Sequence, residues 1–159
     1  MKKLLLLSFF SFHICFSKAQ IFTENQYQNL QVLEKELARA KTAEEKTNAL
    51  ISVYVYHAAH SAPVNIKAAK NYEQQLEIFT HQTNEPELIA RGFLGLTFST
   101  RGEEFKIRIA RLYDFAKLHN LTYYKARAKI REAEYLFIYQ PDLTRATQSL
   151  NEATILQKI

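Results

Sequence analysis

Four histidines beyond the N-terminal segment, His57, His60, His81 and His119, are the first candidates for chemistry. A zinc site of the helical kind needs two histidines four apart with a third ligand nearby. His57 and His60 are three apart with no acidic residue between them, and this spacing is expected to flank a helix end. The sequence contains no glycine-rich phosphate loop, nucleophile elbow or phosphate-binding lysine motif. The carboxylate pairs Glu44-Glu45 and Glu103-Glu104 fall in expected first helical turns, where negative charge suits the helix dipole better than acid/base work. No catalytic set, metal site or cofactor is therefore expected.

The residues best suited to recognition are cationic. Arg127 and Arg131 are four apart and share one helix face, an arrangement suited to holding a carboxylate through charge-assisted hydrogen bonds. Together with Asn48 and Glu134 they form the candidate partner-binding set. They belong to a basic stretch, Arg101 to Arg131, that carries nine lysines and arginines against Glu103, Glu104 and Asp114. The plain alternative is a solvated helix face. Tyr123 and Tyr124 interleave with this charge as in some nucleic-acid binders, but the export signal described below argues against a nucleic-acid partner. The remaining tyrosines fall at helical spacing and are expected to pack between helices with their hydroxyls near the rim.

The elements that must position these residues follow an N-terminal segment of another kind. Met1-Lys2-Lys3, the apolar run from Leu4 to Phe16, and Ser17-Lys18-Ala19 have the order of a secretory signal peptide, with cleavage expected after Ala19. The apolar run, about 13 residues, is shorter than the roughly 20 that span a bilayer as a helix, so no stable membrane span is expected. Cys15 lies within this segment after bulky Ile14, which disfavours a lipidation site, and cleavage would leave no cysteine. Removal of Lys2, Lys3 and Lys18 lowers the formal net charge from +5 to +2. The expected location is periplasmic or envelope-associated.

The rest reads as successive amphipathic helices. With 47% apolar residues and only 3 Gly and 3 Pro, the composition suits helices and leaves little for the turns of a sheet. A first helix over about 25–40 places Leu30, Leu33, Leu37 and Ala40 on one stripe. Thr23 with Gln26, and Thr42 with Glu45, fit capping boxes, the second opening a helix over 43–60. Ser61-Ala62-Pro63 should interrupt it. Further helices are expected over 65–80, from a cap at Asn84 with early Pro86 to Gly102, over 103–118, over 122–139, and from Leu143 onward.

These helices carry a weak internal period. The sets Ala68/Tyr72/Gln75, Ile109/Tyr113/Ala116 and Ala146/Leu150/Ala153 recur at intervals of 41 and 37 residues. Small residues at the ends admit a neighbouring helix, and the larger one between is expected to fill the groove; the first set is the most degenerate, because Gln75 replaces a small residue. Gly95, Phe98 and Gly102 supply a small residue, an aromatic and a turn glycine ahead of the middle set. In these features the chain resembles the tetratricopeptide repeat family over residues 43–159.

The resemblance implies an all-α fold of antiparallel helix hairpins stacked as a superhelix, with about three degenerate repeats. The domain organisation is then a signal peptide over 1–19, an extra helix over 20–42 and repeats over 43–159. It also implies a concave face, carrying Asn48, Arg127, Arg131 and Glu134, that receives a protein or peptide without catalysis. The signal peptide followed by repeats further resembles the periplasmic region of bacterial sensor histidine kinases and related regulators, so a truncated sensor of a two-component system is the alternative. Ile155, Leu156 and Ile159 lie on a last helix without a polar cap. Self-association through that helix, a partner, or further chain would cover it.

Overall fold

The computed structural model describes residues 30–60, 65–98 and 100–158. The expected signal peptide with Cys15, the Thr23/Gln26 capping box and the interruption at residues 61–63 lie outside them. Among the described residues the chain is all helix: α1 Leu30–Arg39, α2 Ala43–Val55, α3 Ile66–Gln82, α4 Pro86–Leu96, α5 Gly102–Leu118, α6 Thr122–Ile138 and α7 Leu143–Leu156. None of them is long and apolar enough to cross a membrane.

Local chemistry sets most of the boundaries. Thr42 and Glu45 form the expected capping box at the start of α2, satisfying two backbone donors reciprocally. Asn65 caps α3 through the amide of Ala68, and Asp142 caps α7 through that of Arg145. Three expectations are corrected. The helix beginning at Ala43 loosens into a π turn over Tyr56–His60 instead of running on as α-helix. The N-cap of α4 is Glu85, not Asn84, and Pro86 stands at the first turn, where no amide bond is needed. Gly102 does adopt positive φ (+61°), but at the head of α5; α4 has already stopped at Leu96.

Residue contacts give the helix directions. Tyr72 of α3 stacks on His57, just beyond α2, while Phe79 takes Lys46 from the start of α2, so α2 and α3 run antiparallel. Phe105 with Tyr135 and Tyr113 with Lys129 set α5 against α6 in the same sense. Lys129 with Glu152 and Glu132 with Ser149 do so for α6 and α7. Alternate helices run parallel: Arg91 reaches Glu44 and Gly95 abuts Ile51 between α4 and α2, and Arg108 and Arg111 meet Glu73 and Glu77 between α5 and α3.

One core, containing Leu50, Ile51, Tyr54, Leu76, Phe93, Leu94, Leu112 and Tyr124, joins α2 through α6; a smaller one, Phe105, Ile109, Ala133, Leu136 and Ala146, joins α5 through α7. The close approaches rest on missing side chains. A Cβ on Gly95 would lie 2.5 Å from Cγ1 of buried Ile51, and one on Gly92 would strike Thr80.

The repeated sets fit this packing unevenly. Ile109 and Ala116 are buried, as are Ala146 and Ala153, but Leu150 faces solvent instead of filling a groove. In α3 the interface register is one residue later than expected. Ala69 and Leu76 are buried while Gln75 is exposed, because the apolar stripe follows the neighbour that the helix meets.

Candidate functional site

Helices α2, α4 and α6 follow one another directly, and Arg91 in the middle one joins all three. Glu44 and Asn48 are four apart on α2, and Glu87 and Arg91 are four apart on α4, so each pair presents one face. Arg91 Nη1 donates to Glu44 Oε1 at 2.7 Å and to Asn48 Oδ1 at 3.2 Å. Its Nε lies 3.4 Å from the Tyr124 hydroxyl of α6, and Glu87 approaches to 3.7 Å. Burial works against the charge of Arg91, but the hydrogen bonds it donates to Tyr124 and Glu44 outweigh it and raise the guanidinium above its ordinary value. The Tyr124 phenol is itself pushed up by burial against the opposing pull of Arg91. Glu44 and Glu87 remain mostly exposed, giving a surface with fixed arginine geometry and two accessible carboxylates.

Arg131 makes a second junction where α4 ends. Its Nη2 donates to the Thr97 carbonyl at 2.6 Å and its Nε to Thr97 Oγ1 at 3.2 Å. It pairs with Glu134 and lies over the Phe105 ring, 4.7 Å from the centroid, and the Phe98 ring at 5.0 Å. Its side chain is only 13% exposed. Burial lowers the Arg131 pKa and raises that of Glu134, so both charges are disfavoured by desolvation and held by each other. Arg127 adds positive charge beside both, and its Nε is buried without a hydrogen-bond partner among the described residues.

Arg127, Arg131 and Glu134 are thus gathered on α6, whereas Asn48 belongs to the Arg91 junction. Sequence reasoning missed Arg91, Glu44, Tyr124 and Thr97. Their only signal was the four-residue spacing of Glu87 with Arg91 and of Glu44 with Asn48.

The basic stretch from Arg101 to Arg131 is not simply a solvated face. Arg108, 11% exposed, binds Glu73, Glu104 at 2.6 Å and the Leu96 carbonyl at 3.1 Å. Arg111 binds Glu77 at 2.9 Å and covers the Phe93 ring at 4.0 Å. Lys129 lies 2.9 Å from both Glu132 and Glu152. Several of these acids are supplied by other helices, which is why a count of local charges overlooked them.

His57 and His81 both have structural partners. His57 stacks on Tyr72 at 5.4 Å, at a helix end as expected, and burial depresses its pKa against the opposing effect of Glu34. His81 meets Arg111 at 3.0 Å beside an open cleft of about 430 Å³ between α3, α4 and α5, lined by Ile89, Phe93, Phe115 and Leu118. Of the tyrosines, Tyr54, Tyr124 and Tyr135 are buried as expected, but Tyr123 and Tyr139 are exposed. Among the described residues, no group of three or more His, Cys, Asp or Glu side chains is placed to hold a metal ion. Compared with family models, curated proteins and solved structures, the chain matches none of the three.

Proposed function

We propose that this chain is an exported protein or peptide interaction module without catalysis of its own, built as a short tetratricopeptide-like array. The observation that carries this reading is the direct succession of α2, α4 and α6, bridged by Arg91, with α3, α5 and α7 forming the other halves of their hairpins. Such a succession provides a continuous face for an extended peptide or partner helix. Arg91 is held by three groups before any ligand arrives, so little ordering cost remains for binding. Glu44, Asn48 and Glu87 form the proposed contact surface, with Arg127, Arg131 and Glu134 along its α6 side. The export assignment rests on the N-terminal sequence pattern.

Affinity capture from an envelope extract, with the protein as bait, tests the reading. The expected result is a partner whose retention falls when Glu44→Lys, Glu87→Lys or Asn48→Asp is introduced, with the helical circular dichroism signal unchanged. Absence of a partner, or a partner indifferent to all three changes, would sink it.

A further inference from the structure

The open cleft between α3, α4 and α5 has apolar walls. Ile89 and Phe93 of α4 and Phe115 and Leu118 of α5 line it, and its volume of about 430 Å³ suits a small molecule. Part of the wall is fixed by packing. Phe93 is buried and meets Phe115 edge-on at 5.3 Å, while His119 packs on Phe115 at 4.3 Å. The mouth is open, since Leu118 is 76% exposed.

Arg111, Asp114 and Leu118 follow three- and four-residue spacing on α5, so this helix brings one cation and one anion to the cleft. The cation is already engaged. Arg111 Nη1 donates to both carboxylate oxygens of Glu77, at 2.9 and 3.2 Å, and its guanidinium covers the Phe93 ring. Its Nη2 lies 3.0 Å from His81 Nε2; a guanidinium can only donate, so that imidazole nitrogen accepts and His81 adds no charge. Asp114 differs from all of these. It is exposed, and its carboxylate makes no ion pair or hydrogen bond among the described residues. The cleft therefore combines a preformed apolar wall with one free negative charge.

We propose that this cleft binds a small organic amine, its aromatic or branched alkyl body against Ile89, Phe115 and Leu118 and its ammonium group on the Asp114 carboxylate. Covering Leu118 removes apolar surface from water. The ammonium–carboxylate contact is a charge-assisted hydrogen bond, and the ligand's own body shields it from solvent. A carboxylic acid of the same shape is disfavoured, because it meets Asp114 while Arg111 is held by Glu77. A neutral alcohol gains the apolar contact alone. Ile89 and Phe93 each lie two residues from Arg91, and so on the opposite side of α4 from the junction with α2 and α6. The inference is therefore independent of the proposed partner surface.

The test is a titration of the isotope-labelled protein with phenethylamine, phenethyl alcohol and phenylpropionate at neutral pH, followed by amide NMR shifts. Phenethylamine should shift the amides of Ile89, Asp114 and Leu118 saturably at millimolar concentration. The alcohol should bind about threefold or more weakly, and phenylpropionate more weakly still. Asp114→Asn should reduce amine affinity to that of the alcohol, and Leu118→Ser should weaken both. Asp114→Lys should invert the preference, so that phenylpropionate binds better than phenethylamine, a reversal that lost packing alone would not produce. All three changes are at exposed positions, so an unchanged helical signal is expected. No saturable shift at the cleft, equal binding of the three probes, or an Asp114→Asn protein that binds the amine as the parent does would each overturn the proposal. So would an Asp114→Lys protein with intact helicity and no inversion.

Discussion

Arg131 Nη2 donates to the carbonyl oxygen of Thr97 at 2.6 Å, joining α6 to the end of α4. The last carbonyls of a helix have no partner within it. Arg108 serves the Leu96 carbonyl beside it, so two arginines from different helices complete the end of α4. That role, more than any external anion, accounts for the burial of Arg131.

Arg131→Met should destabilise the fold by about 2–3 kcal/mol, because it strands the Thr97 carbonyl and a largely buried Glu134. Arg131→Lys should recover part of that loss, since it restores the charge without the guanidinium fork. Urea unfolding followed at 222 nm measures both, and equal stability of Met, Lys and parent would refute the assigned role.

Gly95→Ala should cost about 1–2 kcal/mol even though alanine is the better helix former. The propensity gain, about 1 kcal/mol, is outweighed by overpacking against Ile51, which is itself buried on all sides. A raised melting temperature for this variant would show that α4 and α2 can separate freely.

The interface register of α3 is testable by a matched pair. Leu76→Ala should destabilise by about 2–5 kcal/mol, while Gln75→Ala should stay within about 0.5 kcal/mol. In α7, Ala146→Phe or Ala153→Phe should cost about 1–3 kcal/mol by overpacking. Reversal of the first pair would return the interface to Ala68 and Gln75.

His57 predicts a mildly acid-sensitive fold. Burial holds its pKa below the ordinary value of about 6.5, so the unfolded chain binds the proton first as pH falls. Stability should decline from about pH 6.5 downward to the folded pKa, with Glu34 moderating the effect. His57→Phe, which retains a ring against Tyr72, should flatten this part of the pH profile. The carboxylates of Glu45, Glu103 and Glu152, held low chiefly by the Lys41 amide, Lys106 and Lys129 respectively, act at lower pH. An unchanged slope in His57→Phe would assign the sensitivity elsewhere.

The helices were legible because their determinants are local. Thr42 and Glu45 cap each other across three residues, Asn65 and Asp142 reach amides three residues ahead, and Pro86 suits a first turn wherever it occurs. The misreadings were local as well. Asn84 and Glu85 are adjacent, and nothing in their types says which one starts α4. The expected grouping of Asn48 with Arg127, Arg131 and Glu134 came from a family resemblance, and the four-residue spacing of Glu87 with Arg91 did not by itself mark Arg91 as the junction of three helices.

The sequence by itself determined seven helical segments, most of their ends and the small residues at several interfaces, because propensity, capping and periodicity act over a turn or two. Only the tertiary structure decided which arginine meets which acid. Arg108 finds Glu73 across 35 residues, Arg111 finds Glu77 across 34, and Arg91 finds Glu44 across 47. Those separations are set by how far one hairpin is displaced along the next, a quantity that depends on the packed cores of Ile51, Gly95, Leu76 and Leu112 together. Charge pairing over such distances leaves no period in the sequence, because each partner follows the offset of its helix and not its place in the chain.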